Sequence, residues 1–320
     1  MGRRSFLKCI CPRCGEIGSI TYRRGSGFYV NHGTRTAHRV PSDISLKLVG
    51  SDRLTFIRFP GGDHYLIKYL LEMIPPHTVY VEVFGGSAKL LICKPPSKIE
   101  VYNDLDNDLV NLFKVVKEKP REFLAQLDLV LYSRHLFYEY LRKLRNREYS
   151  SDVERAALYY YISWCGMATK SVYKTSFQGG IGRNKVVSFF NALKHIREIH
   201  RRLKRVMIEN LDFRECIKRY DSSRTFFYLD PPHLYVSTEK DKSYYTPSFT
   251  EADYMDLLNI LTKIKGKFLL KQSGIIGYLK EWAQNNKYYV RELKLVKNLG
   301  VVKGEKREHW SVIFIANYKI

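Results

Sequence analysis

The sequence lacks any long hydrophobic run. No stretch approaches the ~20 apolar residues that a helix needs to cross a membrane. The N-terminus, MGRRSFLKCICPRCG, has no uninterrupted apolar core of the kind found in a signal peptide. These absences argue against a membrane-spanning or secreted protein. We therefore expect a soluble, cytoplasmic protein without a membrane partner.

Acidic residues are also scarce. The sequence contains 32 Asp and Glu residues and 54 Lys and Arg residues, which gives a formal net charge of +22. Basic surfaces can serve solubility, but an excess of this size favours nucleic acid as the partner. An anionic membrane surface is the competing partner, and the sequence offers no basic amphipathic helix to support it.

Cysteines are too few and too unevenly spaced for a disulfide framework. Three of the six lie within residues 9–14, and the scattered Cys93, Cys165 and Cys216 are expected to be buried and reduced. In CPRCG, Cys11 and Cys14 can hold one side of a zinc ion, and His32 and His38 can supply the other. An incidental CxxC motif is the alternative. We predict that residues 1–50 form a separate β-rich ribbon with TYRR and GFYVNH as strands.

The remainder of the chain alternates between β-prone runs and helical patterns, which indicates an α/β fold. Residues 79–84 read as a buried strand, and Gly85, Gly86 and Ser87 then make a tight turn into a helix that begins near Ala88. Such a turn lets the backbone approach a nucleotide-like ligand closely. It matches neither the dinucleotide-binding fingerprint nor a phosphate-binding loop.

The next predicted strand, residues 98–102, ends in Asn103 and Asp104. An acidic residue about 20 positions after the glycines, at the end of the following strand, is where ribose hydroxyls are bound. Asp104 can instead cap the helix predicted in DNDLVNLFKVV, or do both.

The stretch TFFYLDPPH places a carboxylate at the end of a third buried strand. Pro231 and Pro232 cannot donate to a sheet, so the strand must end at Asp230. Asp230 and the Pro231 carbonyl can accept hydrogen bonds from an exocyclic amino group, while the ring of His233 stacks on the base. A strand that merely ends in a Pro-Pro turn explains the same four residues equally well.

Residues 120–204 have a helical, basic and aromatic pattern, including a loop rich in glycine and lysine. We interpret this segment as a surface that meets DNA, with an ordinary helical insertion as the alternative. The candidate DNA-contacting residues are Arg134, Lys170, Tyr173, Lys174, Arg183 and Lys185.

Taken in order, the motifs FPGG, VEVFGGSA, YNDLDNDLVNLF, ENLDF, FFYLDPPH and REHWSVIFIANY resemble the Dam-like (D12 class, alpha-group) DNA adenine-N6 methyltransferases. The resemblance covers residues 54–318. It implies the S-adenosylmethionine-dependent methyltransferase fold: a mixed seven-stranded sheet with helices on both faces and an antiparallel final strand. Residues 51–119 and 205–320 would form the catalytic domain, and residues 120–204 the target-recognition insertion.

The resemblance also assigns roles to residues. Asp230, Pro231, Pro232 and His233 match the catalytic tetrapeptide, and S-adenosylmethionine is the implied cofactor. Its binding residues would be Phe59, Gly61, Gly62, Asp63, Glu82, Phe84, Gly85, Gly86, Asp104, Asp212, Phe213 and Asp230. Double-stranded DNA is the implied partner, together with a companion restriction endonuclease.

Two residues depart from the family pattern: His233 replaces the usual Tyr, Phe or Trp, and Asp63 replaces the usual Lys. They motivate a catalytically inactive nucleic-acid-binding relative as the rival interpretation. Methylation of cytosine-N4 or of RNA is the alternative among enzymes. We favour an active adenine-N6 enzyme because Asp104, Asp212, Asp230 and the glycine turn are all intact.

Overall fold

A computed structural model describes most of the chain. The described residues are 8–10, 17–23, 27–31, 37–39, 48–49, 54–59, 66–167, 171–179, 185–232, 249–273, 275–296 and 309–320. Before residue 50, side chains are described only at Tyr29 and His38, and the side chains of residues 296, 309 and 310 are not described.

The chain forms two compact units. The first comprises Met1–Thr55, Asp63–Glu72 and Lys89–Pro96. Its described strands form a sheet in the order β4-β3-β2-β1-β5, and every pairing is antiparallel. These strands are β1 (Lys8–Ile10), β2 (Ile17–Arg23), β3 (Gly27–Asn31), β4 (Ala37–Arg39) and β5 (Leu48–Val49). The strands predicted in TYRR and GFYVNH are thus present as β2 and β3.

The described residues include one of the four predicted zinc ligands. Cys11, Cys14 and His32 lie outside the described residues, and His38 lies on β4. Among the residues that are described, no three His, Cys, Asp or Glu side chains cluster as a metal site would require. Zinc binding therefore stays a prediction.

Two short helices also contribute to the first unit. They are α1 (Ile67–Met73), all but its last residue, and α2 (Lys89–Cys93), whose five residues are all buried. Lys89 Nζ donates to the backbone oxygen of Leu54 at 2.7 Å, which gives this buried ammonium a partner.

The second unit is built on a larger sheet. Within the described residues it has seven strands in the order β11-β12-β10-β9-β6-β7-β8. The strands are β6 (Val79–Glu82), β7 (Ile99–Asn103), β8 (Val206–Glu209), β9 (Thr225–Leu229), β10 (Lys267–Gln272), β11 (Tyr289–Val296) and β12 (His309–Ala316). The five from β10 to β8 are parallel, while β12 runs antiparallel to both β10 and β11. The predicted mixed sheet with an antiparallel final strand is confirmed.

Helices lie on both faces of this sheet. On one face, side chains of β6, β9 and β10 such as Val81, Leu229 and Leu270 form a buried core with the apolar sides of three helices. On the other face, the ring of Tyr102 stacks on Phe113 at 4.0 Å between centroids. The helices of the first face are α9 (Phe213–Tyr220), α10 (Glu251–Leu261) and α11 (Ile276–Asn285), and Phe113 belongs to α3 (Asn107–Glu118).

The chain between β7 and β8 continues from α3 into the predicted helical segment. Its described helices are α4 (Pro120–Leu127), α5 (Arg134–Asn146), α6 (Asp152–Cys165), α7 (Lys185–Lys194) and α8 (Ile196–Leu203), with a 3-10 turn at Val172–Lys174. Ala156 to Ile162 in α6 are all buried, so this helix forms the centre of the group. In the described part of the chain, no helix is long and apolar enough to cross a membrane.

Candidate active site

Four parallel strands bring their carboxyl ends to one side of the larger sheet. Glu82 at the end of β6 pairs with Tyr102 of β7 and with Tyr228 of β9, and Asn103 pairs with Glu209 of β8. The segments that follow these strands are residues 83–88, 104–106, 210–212 and 230–232. We call them the carboxyl edge, which is where open α/β sheets bind ligands.

Most of the predicted catalytic and cofactor-binding residues lie in the carboxyl edge or directly beside it. Those in the edge are Phe84, Gly85, Gly86, Asp104, Asp212, Asp230, Pro231 and Pro232, while Glu82 ends β6 and Phe213 begins α9. Glu82 is 2% exposed, and Pro231 is buried. Gly61, Gly62, Asp63 and His233 lie outside the described residues.

The turn after β6 requires glycine at two successive positions. The backbone N–H of Gly85 donates to the oxygen of Asn103 at 2.7 Å, and a Cβ on Gly85 would lie 2.2 Å from the ring of Tyr102. Gly86 has a φ of +49°, in the left-handed region that L side chains rarely adopt. The hydroxyl of Tyr102 donates to the oxygen of Gly86 at 2.9 Å. The turn is therefore held tightly and carries no side chain on its glycines.

Phe59 borders this turn. A Cβ on Gly86 would lie 3.2 Å from Cε1 of Phe59, so the ring covers the α-carbon of that glycine. The neighbouring Arg58 donates to the backbone oxygens of Trp164 and Gly166 and to Oε1 of Gln178. These bonds fix the segment that carries Phe59 against the end of α6.

Asp104 is half-buried and accepts backbone hydrogen bonds. Gly86 donates to Oδ2 at 2.8 Å and Asp106 donates to Oδ1 at 2.9 Å. Burial raises the pKa of Asp104, and the backbone N–H groups of Asp106, Gly86 and Leu105 oppose that rise. The carboxylate thus links the glycine turn to the segment after β7.

The cap of α3 is Asp106, not Asp104. Oδ1 of Asp106 accepts from the backbone N–H of Asp108 and of Leu109. Burial and then the negative charge of Asp104 raise the pKa of Asp106 to about 7. Asp104 therefore does not cap α3.

Asn103 is a residue that the sequence interpretation missed. It is 1% exposed, and its Nδ2 donates to the backbone oxygens of Val83 and Leu211 at 2.9 and 3.0 Å. Its Oδ1 accepts from the backbone N–H of Leu211 at 2.9 Å. One side chain thus ties together the segments that follow β6 and β8. The only sequence signal is an amide at the end of a buried strand.

Aromatic rings form one wall of the carboxyl edge. Phe84 and Phe213 lie 5.7 Å apart between centroids, and Phe249 lies 5.5 Å from each of them. Phe249 was not predicted, since nothing in TPSF distinguishes it from an ordinary loop residue.

Asp212 caps α9 and is paired with a cation. Its Oδ1 accepts the backbone N–H of Arg214 at 2.8 Å, and the Arg214 guanidinium bonds both carboxylate oxygens. The same guanidinium lies 4.3 Å from the centroid of the Phe213 ring and pairs with Asp253 and Asp256 of α10. Arg214 therefore fixes both predicted residues of this segment.

Asp230 follows β9, whose five residues are all buried. Its Oδ2 accepts from Lys271 Nζ at 2.7 Å. Burial raises the pKa of Asp230, and the positive charge of Lys271 opposes that rise. Lys271 was also missed, because the second Lys of the strand sequence KFLLKQ resembles an edge-strand residue.

The described candidates for DNA contact lie on three different elements. Arg134 begins α5 and its guanidinium lies 4.9 Å from the ring centroid of Phe177. The hydroxyl of Tyr173 donates to Asp108 in α3, Lys174 is exposed, and Lys185 begins α7. Lys170 and Arg183 lie outside the described residues.

Chemically, the carboxyl edge combines three features: uncovered glycine backbone, a carboxylate at the end of the next strand, and a further carboxylate followed by two prolines. The first two suit a nucleoside-containing ligand, and the third offers hydrogen-bond acceptors to an amino group. Because β6 and β9 are adjacent, the glycine turn that suits a nucleoside lies next to the Asp230 carboxylate that can accept from an amino group.

Comparison with known proteins agrees with this geometry. The family described as D12 class N6 adenine-specific DNA methyltransferase matches residues 59–297. The type II methyltransferase M1.LlaDCHI of Lactococcus lactis subsp. cremoris is 24% identical over 278 residues, covering 82% of this chain and 95% of the relative. The type II methyltransferase M.CviBI of Paramecium bursaria Chlorella virus NC1A is 23% identical over 218 residues, covering 67% of this chain and 80% of the relative. The chain belongs to the D12 class N6 adenine-specific DNA methyltransferases.

Proposed function

We propose that the carboxyl edge binds S-adenosylmethionine and a flipped-out adenine side by side for direct methyl transfer to N6. The N6–C bond would form as the S–C bond breaks, S-adenosylhomocysteine would leave, and one N6 proton would be lost to solvent. The observation that carries this proposal is the adjacency of β6 and β9. It sets the Gly85–Gly86 turn beside Asp230, so cofactor and target base can meet in line.

The residues present fit the cofactor. Gly85 and Gly86 offer bare backbone beside the Phe59 ring, and Asp104 offers carboxylate oxygens for ribose hydroxyls. Phe84 and Phe213 supply apolar surface for the adenine ring of the cofactor. When bound, S-adenosylmethionine supplies an electrophilic methyl group on a sulfonium.

The chain's own contribution to the reaction is to prepare the target nitrogen. The adenine amino lone pair is delocalised into the ring and is a poor nucleophile. Hydrogen bonds from the amino group to Asp230 and to the Pro231 carbonyl would localise that lone pair and stabilise the positive charge that develops on nitrogen. The adenine must leave the duplex to reach these acceptors, which implies base flipping. Stacking on His233 would hold it.

The remaining assignments are proposals as well. Residues 51–119 and 205–320 form the catalytic domain, and residues 120–204 recognise the target sequence in duplex DNA. Arg134, Lys174 and Lys185 on the helices and 3-10 turn of that segment are the described candidates for DNA contact. The protein acts in the cytoplasm.

Transfer of labelled methyl from S-adenosylmethionine to unmethylated duplex DNA tests the proposal. The wild type should produce N6-methyladenine, and Asp230→Ala should produce none while still binding DNA. Glu281→Ala, which removes an exposed carboxylate on α11, is the matched control and should behave as wild type. N4-methylcytosine in the product, or transfer to RNA alone, would change the substrate. DNA binding without transfer would establish the inactive relative.

We further propose a companion restriction endonuclease, because both relatives are named type II methyltransferases. Sequencing of the methylated product gives the recognition site. An extract of the source cells should then cleave unmethylated plasmid at that site and leave methylated plasmid intact. Cleavage at unrelated sites, or none, would contradict the partnership.

A further inference from the structure

A buried lysine lies beside the proposed catalytic aspartate. Leu270 of β10 pairs with Leu229 of β9, so the next residues of the two parallel strands, Lys271 and Asp230, are neighbours. Lys271 Nζ donates to Asp230 Oδ2 at 2.7 Å. The Lys271 side chain is 2% exposed and that of Asp230 is 23% exposed. This is therefore an ion pair whose cation is shielded from water and whose anion reaches the carboxyl edge.

Burying the ammonium of Lys271 in this pair costs hydration free energy, and a function of the pair would account for its presence. Removing an ammonium from water is unfavourable unless a partner offsets the loss of hydration. A hydrophobic residue at position 271 would suit the apolar run of β10 and avoid that cost. The lysine is instead directed at the carboxylate proposed to accept the target amino group.

The groups around Asp230 indicate that Lys271 affects the protonation of its carboxyl group. Burial favours the protonated carboxyl, and in the described structure Lys271 of β10 is the charged group that opposes this effect. Burial raises the pKa of Tyr254 in α10, and the negative charge of Asp230 adds to that rise. Among the described residues, the hydrogen bond of Asp230 engages Oδ2, which leaves Oδ1 for a ligand.

We propose that Lys271 is a positioning residue for methyl transfer: it keeps Asp230 ionised and fixes Oδ2, so that Oδ1 receives the hydrogen bond from the target amino group. The inference rests on the proposed function of Asp230. A protonated Asp230 would be a weaker acceptor and could present a hydroxyl donor to the amino group instead. The lysine thus sets the pH range in which the acceptor is available.

The pH dependence of the single-turnover rate tests this role. In wild type, the rate falls as the pH falls through the pKa of Asp230. In Lys271→Met, this acid limb should move up by about one pH unit or more, which lowers the rate by about tenfold at a pH below both midpoints, with recovery at higher pH. Lys271→Arg keeps the charge and should keep the wild-type limb. A wild-type profile in Lys271→Met would overturn the inference.

A double variant covers the outcome in which Lys271→Met does not fold. Asp230→Asn retains an amide oxygen as acceptor and has no charge to maintain. If Lys271 acts through Asp230, the rate of Asp230→Asn/Lys271→Met should equal that of Asp230→Asn, without the acid limb. A further loss of about tenfold in the double variant would show that Lys271 acts elsewhere and would reject the proposal.

Carboxyl titration separates this inference from the proposed function. In protein labelled with ¹³C at aspartate carboxyls, the Asp230 resonance is assigned by its loss in Asp230→Asn. Its midpoint should lie at least one pH unit higher in Lys271→Met than in wild type, without substrate present. An unchanged midpoint would reject the pairing role even if methyl transfer is demonstrated. A shifted midpoint in a protein that transfers no methyl would retain the electrostatic role and reject the function.

Discussion

The backbone N–H of Gly86 donates to Oδ2 of Asp104 at 2.8 Å, so the glycine turn after β6 is bonded directly to the carboxylate after β7. This bond holds two proposed cofactor-binding elements in register. It also gives Asp104 a structural role beside its proposed contact with ribose.

Replacing Asp104 with Asn should weaken cofactor binding. The amide has one acceptor oxygen, so either the Gly86 or the Asp106 N–H would face an NH₂ group. Hydrogen bonds to charged groups contribute about 1.5–3 kcal/mol, so we expect the Kd for S-adenosylmethionine to rise about tenfold to a hundredfold by calorimetry. DNA binding without cofactor should be unchanged, and so should the cofactor affinity of Glu281→Ala. Equal cofactor affinity in Asp104→Asn would contradict the role.

Asp106→Asn should stabilise the protein at alkaline pH. The folded pKa of Asp106 is about 7, above its ordinary value of 3.8, so the stabilising contribution of its protonated form is lost as the pH rises to 7. Asn caps helices as well as Asp does and does not titrate. The stability of the variant relative to wild type should therefore be greater at pH 8 than at pH 5, by about 1–3 kcal/mol.

Urea unfolding at the two pH values measures this difference. Asp152→Asn, which changes an exposed carboxylate in the first turn of α6, is the control and should show the same relative stability at both. A relative stability of Asp106→Asn that falls with pH would mean that Asp106 is stabilised as the anion.

Gly85→Ala should destabilise the protein and distort the glycine turn. The new Cβ would lie 2.2 Å from the Tyr102 ring, which is stacked on Phe113 and bonded to Gly86 through its hydroxyl. Overpacking of this kind costs about 1–3 kcal/mol. Gly277→Ala is the matched control, because a Cβ added there would meet nothing within 4 Å and the residue is helical. The control should be neutral or slightly stabilising in thermal unfolding. Similar Tm values for both variants would refute the clash.

Asn103→Ala should be among the more damaging substitutions at the carboxyl edge. It leaves the buried backbone oxygen of Val83, and the oxygen and N–H of the half-buried Leu211, without their side-chain partner. Unsatisfied buried groups cost about 1–3 kcal/mol each, so we expect a loss of about 2–4 kcal/mol in denaturant unfolding. Asn107→Ala, at an exposed position in α3, should change stability little. A cost below about 1 kcal/mol would mean that these groups find other partners.

The sequence predicted the central strands well because their residues are mostly buried on both faces. Thr225 to Leu229 read as a continuous β-prone run, and all five residues of β9 are buried. The glycine turn and the Pro-Pro stop were recognisable because few residue types fit a left-handed backbone or end a strand. The positions of Asp104 and Asp230 at one side of the sheet then followed from parallel pairing.

Long-range side-chain contacts were not predictable in the same way. The pairing of Lys271 with Asp230 depends on the register of β10 against β9, and no local pattern specifies that register. The cap of α3 could not be assigned from the sequence, because Asp104, Asp106 and Asp108 all suit a cap. Which one acts depends on where β7 ends, and β7 extends to Asn103. Asn103 itself bonds partners that are adjacent only after the sheet has formed.

The position of β12 has a consequence for biosynthesis. Among the described strands, β12 comes last in the sequence, yet it lies between β10 and β11. Until β12 has been synthesised, β10 has one unpaired edge. Residues Val312 to Ala316 of β12, which cover that edge, are all buried in the folded protein. Unpaired apolar edges invite association between nascent chains. Completion of the sheet therefore depends on the insertion of β12 between two strands that precede it in the sequence.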